Sequence, residues 1–307
     1  MTLVLTVGSP ESIWLIADRR LSYKGWTPKD DARKIMLLET TDGVAILGYA
    51  GLGATARGTE PADWMSAILR TRNLPLEQSL GILADAMKRE FPRHMVQMPG
   101  APAHSVIIPA FVNEERRLYS IDLVLAANRK NDAFRYTRHI INKPTDAIPR
   151  TVRLAMGGSG ALYLAGKKNK FWMRDLLRLV NACDRGRLSP YVVADELAAL
   201  NHQIHLNIRD GSVGSRCIVV WRNRKRGVQK GGGAHQFYTR TTRDNSSPTL
   251  PQIGTGIDVE ALIGVVGPRM FDQLKEMLAG RPAPDINREG LDEELSRLPD
   301  KPDENLR

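Results

Sequence analysis

The chain has 307 residues, 42% hydrophobic and 25% charged, with a formal net charge of +10. This length holds one large domain or two smaller ones with a sizeable core, and the balance is ordinary for a water-soluble globular chain. No apolar run reaches membrane-spanning length, no basic segment leads into an apolar signal core, and the two cysteines, Cys183 and Cys217, form neither a disulfide framework nor a metal spacing; no membrane or secretory location is expected, and a reducing cytoplasm is.

The first fifty residues carry four short, mostly apolar runs, 2–8, 13–20, 32–35 and 44–51, separated by Gly, Pro, Ser and Asp. Short β-prone runs bounded by turn formers read as strands of a meander. Each run ends at, or carries, a residue with chemical potential: Thr2, Asp18, Lys34 and Gly48. Initiator methionine is normally removed before a small residue, so Thr2 is expected to open the mature chain. One residue then holds both a hydroxyl and an α-amine. That amine titrates near pH 7.7–8 in reference peptides, low enough to serve as a base where a lysine does not. Such a nucleophile needs a nearby cation and a carboxylate to hold it, for which Lys34 and Asp18 are the obvious pair. It also needs a backbone N–H facing the developing oxyanion, where glycine allows close approach.

These residues resemble the start of proteasome β-subunits and the related bacterial ring peptidases, which are N-terminal-nucleophile hydrolases. In that family a terminal threonine is followed by an acid, a lysine and a glycine at set offsets. Asp18, Lys34 and Gly48 stand sixteen, thirty-two and forty-six positions after Thr2, at those offsets. Ala17-Asp18-Arg19-Arg20 and Gly48-Tyr49-Ala50-Gly51 match the surrounding text as well. Taken singly, each residue has a plainer account: an ordinary N-terminus, a solvated turn, an exposed lysine, a glycine bulge. An inactive relative that keeps the fold is the more serious alternative.

Beyond Gly51, helical periodicity starts near Glu60-Pro61, with proline suited to a first turn, and Trp64, Ile68 and Leu69 sharing a face. A second helix is expected from Leu76 to about Phe91, with Leu76, Leu80, Leu83, Ala84 and Met87 inward and Pro92 closing it. His94, Met95, Met98 and His104 read as loop and core residues rather than ligands. Strands follow at 105–112 and 118–122. The polar stretch 128–150 reads as an insertion relative to the family. A strand at 152–156 leads into Gly157-Gly158-Ser159-Gly160. The resemblance makes Ser159 the serine beside the nucleophile; a phosphate-binding loop is rejected because its lysine and hydroxyl spacing are absent.

Residues 161–181 and 190–208 read as two helices. His202 and His205 lie three apart on the second, which is weak evidence for a metal. Next comes Arg209-Asp210-Gly211-Ser212, followed by a strand at 217–221. The resemblance places Asp210 and Ser212 near the threonine amine, although Ser212 stands one residue closer to the acid than the family's usual pattern. Basic runs at 167–170 and 222–226 come without a nucleic-acid motif and with only 6% aromatic residues, so nucleic-acid binding ranks low.

The expected division is a main domain over 2–222, a Gly/Ser/Thr/basic linker or long loop over 223–256, and a helical extension with a polar tail over 257–307. The amphipathic segment 257–278 should break at Gly267-Pro268.

The resemblance implies an α+β fold, a four-layer αββα sandwich of two antiparallel sheets flanked by helices. It implies a threonine-type amide-bond hydrolase, a peptidase first, acting on a peptide or other amide substrate. Thr2 attacks, its amine takes the proton, Lys34 held by Asp18 favours the deprotonated groups, the Gly48 N–H faces the oxyanion, and Ser159, Asp210 and Ser212 position the amine. By residue counting, Leu21, Met36, Ile46 and Ala50 border an apolar substrate pocket. No metal or organic cofactor is implied. Self-association is expected, as in the family's stacked rings, with any unfolding ATPase partner unspecified. A small-molecule amidase, a transpeptidase and a catalytically silent ring-forming homologue remain as alternatives.

Overall fold

The computed structural model describes residues 2–21, 27–51, 60–95, 104–124, 133–139, 153–166, 171–224, 231–239 and 250–279. These residues form a mixed α+β fold with two sheets and six helices. The N-terminal meander supplies β1 (Val4–Gly8), β2 (Ser12–Asp18), β3 (Ile35–Glu39) and β4 (Gly43–Ala50). Every residue of β1, β2 and β4 is buried. A strand covered on both faces needs no polar alternation, which is why these runs are mostly apolar.

The meander divides between the two sheets. The first sheet runs β10-β9-β2-β1-β8, where β8 is Arg153–Gly157, β9 is Cys217–Asn223 and β10 is Gly233–Phe237. The second runs β12-β11-β3-β4-β5-β6-β7, with β5 at Ser105–Val112, β6 at Glu115–Val124, β7 at Ala133–His139, β11 at Gln252–Gly254 and β12 at Ile257–Asp258. All ladders are antiparallel except β11 beside β3, so the second sheet departs from the wholly antiparallel expectation.

Three apolar clusters hold the layers. One joins the second sheet, through Met36, Leu47 and Tyr49, to helices α1 (Pro61–Leu69) and α2 (Leu76–Met95). Another joins the first sheet, through Leu3, Leu5, Trp14 and Val219, to α3 (Ser159–Gly166), α4 (Phe171–Asp184) and α5 (Pro190–Asn207). The third contains Val4, Leu15 and Val220 of the first sheet with Ile35, Ile46, Ile107 and Phe111 of the second. The expected inward faces are buried: Trp64, Ile68 and Leu69 on α1, and Leu76, Leu80, Leu83, Ala84 and Met87 on α2. Each such side chain contributes roughly 1.5–3 kcal/mol relative to exposure.

Several expectations are corrected. The helix α2 runs through Pro92 to Met95 instead of closing at Phe91. The single helix expected over 161–181 is two, α3 and α4, with 167–170 outside the described residues. Within the supposed insertion, Ala133–His139 pairs with β6, and the rest of 128–150 lies outside the described residues. Within the supposed linker, β10 and β11 are strands of the two sheets. The glycines there serve close approach: a Cβ at Gly233 would overlap the Trp221 ring, which stacks on Trp14 at 5.2 Å between centroids. Helix α6 (Val259–Leu278) continues through Pro268 without the expected break. An interior proline costs a helix one hydrogen bond, and the flanking turns tolerate it here.

Candidate active site

The strand β2 ends at Asp18, which is 0% exposed, and its carboxylate gathers five donors. Oδ1 accepts the Thr2 hydroxyl, the Leu3 N–H at 2.8 Å and Lys34 Nζ at 3.1 Å. Oδ2 accepts the N–H groups of Arg20 at 3.0 Å and Gly214 at 3.1 Å. Buried carboxylates must be met by donors in this way.

Lys34 precedes β3 and is equally enclosed. Its ammonium donates to Thr2 Oγ1 at 2.6 Å, to the Arg20 carbonyl at 2.5 Å and to Asp18 at 3.1 Å, which uses its three protons. Burial pushes this ammonium below its ordinary value, and outweighs the lift from the Asp18 charge. The Thr2 hydroxyl therefore donates to a carboxylate and accepts from a lysine whose proton burial has made easier to lose.

The backbone of Thr2 is held from the other side. Its carbonyl accepts the Gly160 N–H at 3.2 Å. A Cβ at Gly158, where φ is +85°, would overlap that carbonyl oxygen, so only glycine fits. Ser159, at the start of α3, meets Ser212 with their hydroxyl oxygens 2.6 Å apart. Asp210 accepts the Ser212 N–H at 2.9 Å, closing an Asx-type turn, and is itself exposed. Asp210 thus shapes the turn, while Ser159 and Ser212 form its buried contact with the Gly158–Gly160 segment.

Sequence reasoning missed Arg20, although it stands in the matched Asp18-Arg19-Arg20 run. Its guanidinium grips Asp30 with Nε–Oδ1 at 2.6 Å and Nη2–Oδ2 at 2.7 Å, and its Nη1 donates to the Gly211 carbonyl at 3.0 Å. The Arg20 contact holds the Asp30 carboxyl below the usual carboxylate range. On the far side of the same turn, Asn201 of α5 donates to the carbonyls of Gly214 at 3.0 Å and Ser215 at 3.2 Å. Residues 211–215 are thus stapled to the Asp18–Lys34 end of the meander and to α5.

Gly48 stands beside the cluster along the chain pairing, since the N–H of its neighbour Tyr49 donates to the Lys34 carbonyl at 2.9 Å. Gly48 lies within β4, opposite Ile35 and Ile107, and a Cβ there would lie 2.7 Å from Leu15 Cδ1 and 2.8 Å from Val4 Cγ1. Its glycine requirement comes from the approach of the two sheets. The four expected pocket residues separate. Met36 packs on the helix-covered face of the second sheet, while Ile46 and Ala50 lie on its other face. Leu21 forms a bridge with Lys29. Met36 pairs with Leu47 across β3 and β4, and alternation along β4 turns Ile46 to the opposite face, so positions 36 and 46 do not share a pocket. His104 is buried against Tyr49, with Nδ1 and the phenol oxygen 2.6 Å apart. His205 places Nδ1 2.9 Å from the Val213 carbonyl. Among the described residues no group of three or more His, Cys, Asp or Glu could hold a metal ion, and no helix is long and apolar enough to cross a membrane.

No protein-family profile and no curated protein matches the chain. Solved structures of low identity do. An Anbu (Gly-1) mutant from Hyphomicrobium sp. strain MC1 is 13% identical, covers 93% of this chain and 100% of its own, and has a TM-score of 0.43. Anbu, described as an ancestral beta-subunit, from Yersinia bercovieri is 12% identical over 92% of this chain and 100% of its own, with a TM-score of 0.45. A helical assembly of the Anbu complex from Pseudomonas aeruginosa is 11% identical over 92% of this chain and 98% of its own, with a TM-score of 0.46.

Proposed function

We propose that this chain is a threonine-type N-terminal-nucleophile hydrolase that cleaves amide bonds, first of all in peptides. One observation carries the proposal: the Thr2 hydroxyl is held between the Lys34 ammonium at 2.6 Å and the buried Asp18 carboxylate. The three apolar clusters support the four-layer αββα arrangement that such enzymes use.

Removal of Met1 frees the α-amine of Thr2. Oγ1 then attacks the substrate carbonyl carbon while its proton passes to the freed α-amine. The Lys34–Asp18 pair offsets the charge that develops on Oγ1. The proton moves on to the leaving amine, and the acyl group stays on Thr2 as an ester. Water, activated by the α-amine, then releases the acid. Ser159 and Ser212 fix the segment that carries the Thr2 backbone. The Gly48 N–H is the donor proposed to face the oxyanion. Self-association, in the manner of ring-forming relatives, belongs to the same proposal.

A second reading rests on a different observation: Thr2 is only 1% exposed. A catalytically silent homologue would keep the buried Thr2–Asp18–Lys34 network as a structural core. Intact-protein mass spectrometry before and after a threonine-directed β-lactone separates the two readings. The enzyme loses Met1 and gains one adduct that Thr2→Ala abolishes. A chain that keeps Met1 and takes no adduct is the silent protein.

A further inference from the structure

Helix α6 is the one helix whose full length is described with no buried residue. Its base is nonetheless fixed. Asp258 caps it by accepting the Ala261 N–H at 3.0 Å and is held by Arg70 at 2.7 Å and Ser66 at 3.1 Å. Glu260 pairs with Arg33 at 2.5 Å. From that base the helix presents Ile263, Met270, Phe271, Leu274, Met277 and Leu278, each between 51% and 80% exposed. At about 100° per residue these six fall within an arc of roughly 120°, apart from the half-buried side formed by Leu262, Val265, Val266 and Arg269. No charged residue between Ile263 and Leu278 falls in that arc. Anchored apolar stripes of this size mark interaction sites.

We propose that this stripe pairs antiparallel with the same stripe of a second copy of the chain. The steric pattern is self-complementary in that sense alone. The N-terminal half of the helix carries Gly264 and Gly267: a Cβ at Gly264 would meet nothing within 4 Å, and one at Gly267 meets only the Ile263 side chain. The C-terminal half carries the bulky residues. A two-fold axis between Met270 and Phe271 sets Gly267 against Leu274, Gly264 against Met277 and Ile263 against Leu278. Parallel pairing would stack glycine on glycine and leave a void, at a cost in lost packing. Isologous contact of one patch with itself is the usual basis of a dimer. The six side chains offer on the order of 700 Å² per copy, hence about 1,400 Å² in a pair, within the range of stable interfaces.

Light scattering on the full chain across the micromolar range should give at least twice the 34.2 kDa chain mass. Phe271→Asp with Leu274→Asp should lower that mass by half or more, with an unchanged circular dichroism spectrum. Phe271→Ala removes a ring that is 76% exposed, so the monomer loses little while dissociation rises at least about tenfold. The register has its own test in a Cys183→Ser background: Gly267→Cys with Leu274→Cys should oxidise to a covalent dimer, and Leu274→Cys alone should not. A wild-type monomer throughout overturns the proposal. So does an assembly that the Asp variants leave intact, or one that Leu274→Cys alone cross-links.

Discussion

The Lys34 ammonium lies 2.6 Å from Thr2 Oγ1 and 3.1 Å from Asp18 Oδ1, so one buried cation bridges the hydroxyl and the acid. At an effective dielectric near 20, a unit charge about 4 Å away is worth about 4 kcal/mol, or roughly a thousandfold in rate. Lys34→Ala should lower amide hydrolysis by about that factor in protein with a native circular dichroism spectrum. Lys34→Arg should rescue poorly, since a planar guanidinium does not fit a site shaped for three radiating N–H donors. Near-normal turnover in Lys34→Ala would remove Lys34 from the chemistry.

Asp18→Ala should cost more stability than Lys34→Ala. It strands a buried ammonium, at roughly 3–5 kcal/mol, and leaves the N–H groups of Leu3, Arg20 and Gly214 without their acceptor. Urea denaturation of the two variants measures the order, and an equal or smaller loss for Asp18→Ala would refute it.

Burial lowers the proton affinity of Lys34 in the folded chain below its ordinary value of 10.5. The unfolded chain therefore binds more protons between the folded value and 10.5. Stability should rise with pH across that window, be complete above it, and be lost as pH falls through the folded value. The slope should vanish in Lys34→Met, as read from chemical denaturation at several alkaline pH values.

Asp63 behaves in the opposite sense. Burial pushes its carboxyl up to about 6, with Glu60 and Glu260 adding to the shift, although its ion pair with Arg33 at 3.0 Å pulls the other way. Three acids share Arg33, so burial and repulsion prevail. The stability that this group contributes is fully present below pH 3.8 and is lost as pH rises through about 6. Asp63→Asn should gain on the wild type between pH 4 and 7, by about 1–2 kcal/mol after solvent screening. A constant difference across that range would show that Asp63 does not titrate there.

Gly158→Ala should disable the site from the backbone. The new methyl would overlap the Thr2 carbonyl oxygen at a φ of +85°, a strain of about 1–3 kcal/mol before the clash is counted. The expected result is loss of the β-lactone adduct with only a modest fall in thermal stability. A normally labelled Gly158→Ala protein would show that the segment yields without moving Thr2.

What the sequence determined by itself is the local part. The four strand runs, the inward faces of α1 and α2 and the Thr2–Asp18–Lys34 set follow from apolar runs and spacings within one meander, where strand geometry converts sequence offset into position. Tertiary structure alone decided the rest. The Gly214 N–H reaches Asp18 across 196 residues of chain, and Ser159 reaches Ser212 across 53; no local periodicity encodes such pairs. Gly48 and Gly233 are glycines in either account, but only the packed structure shows what each approaches: the Leu15 and Val4 side chains in one case, the Trp221 ring in the other. Met36 and Ile46 are both apolar, and the register of β3 on β4, which pairs Met36 with Leu47, put them on opposite faces. Long-range burial assigns such residues their partners, and burial is a property of the whole fold.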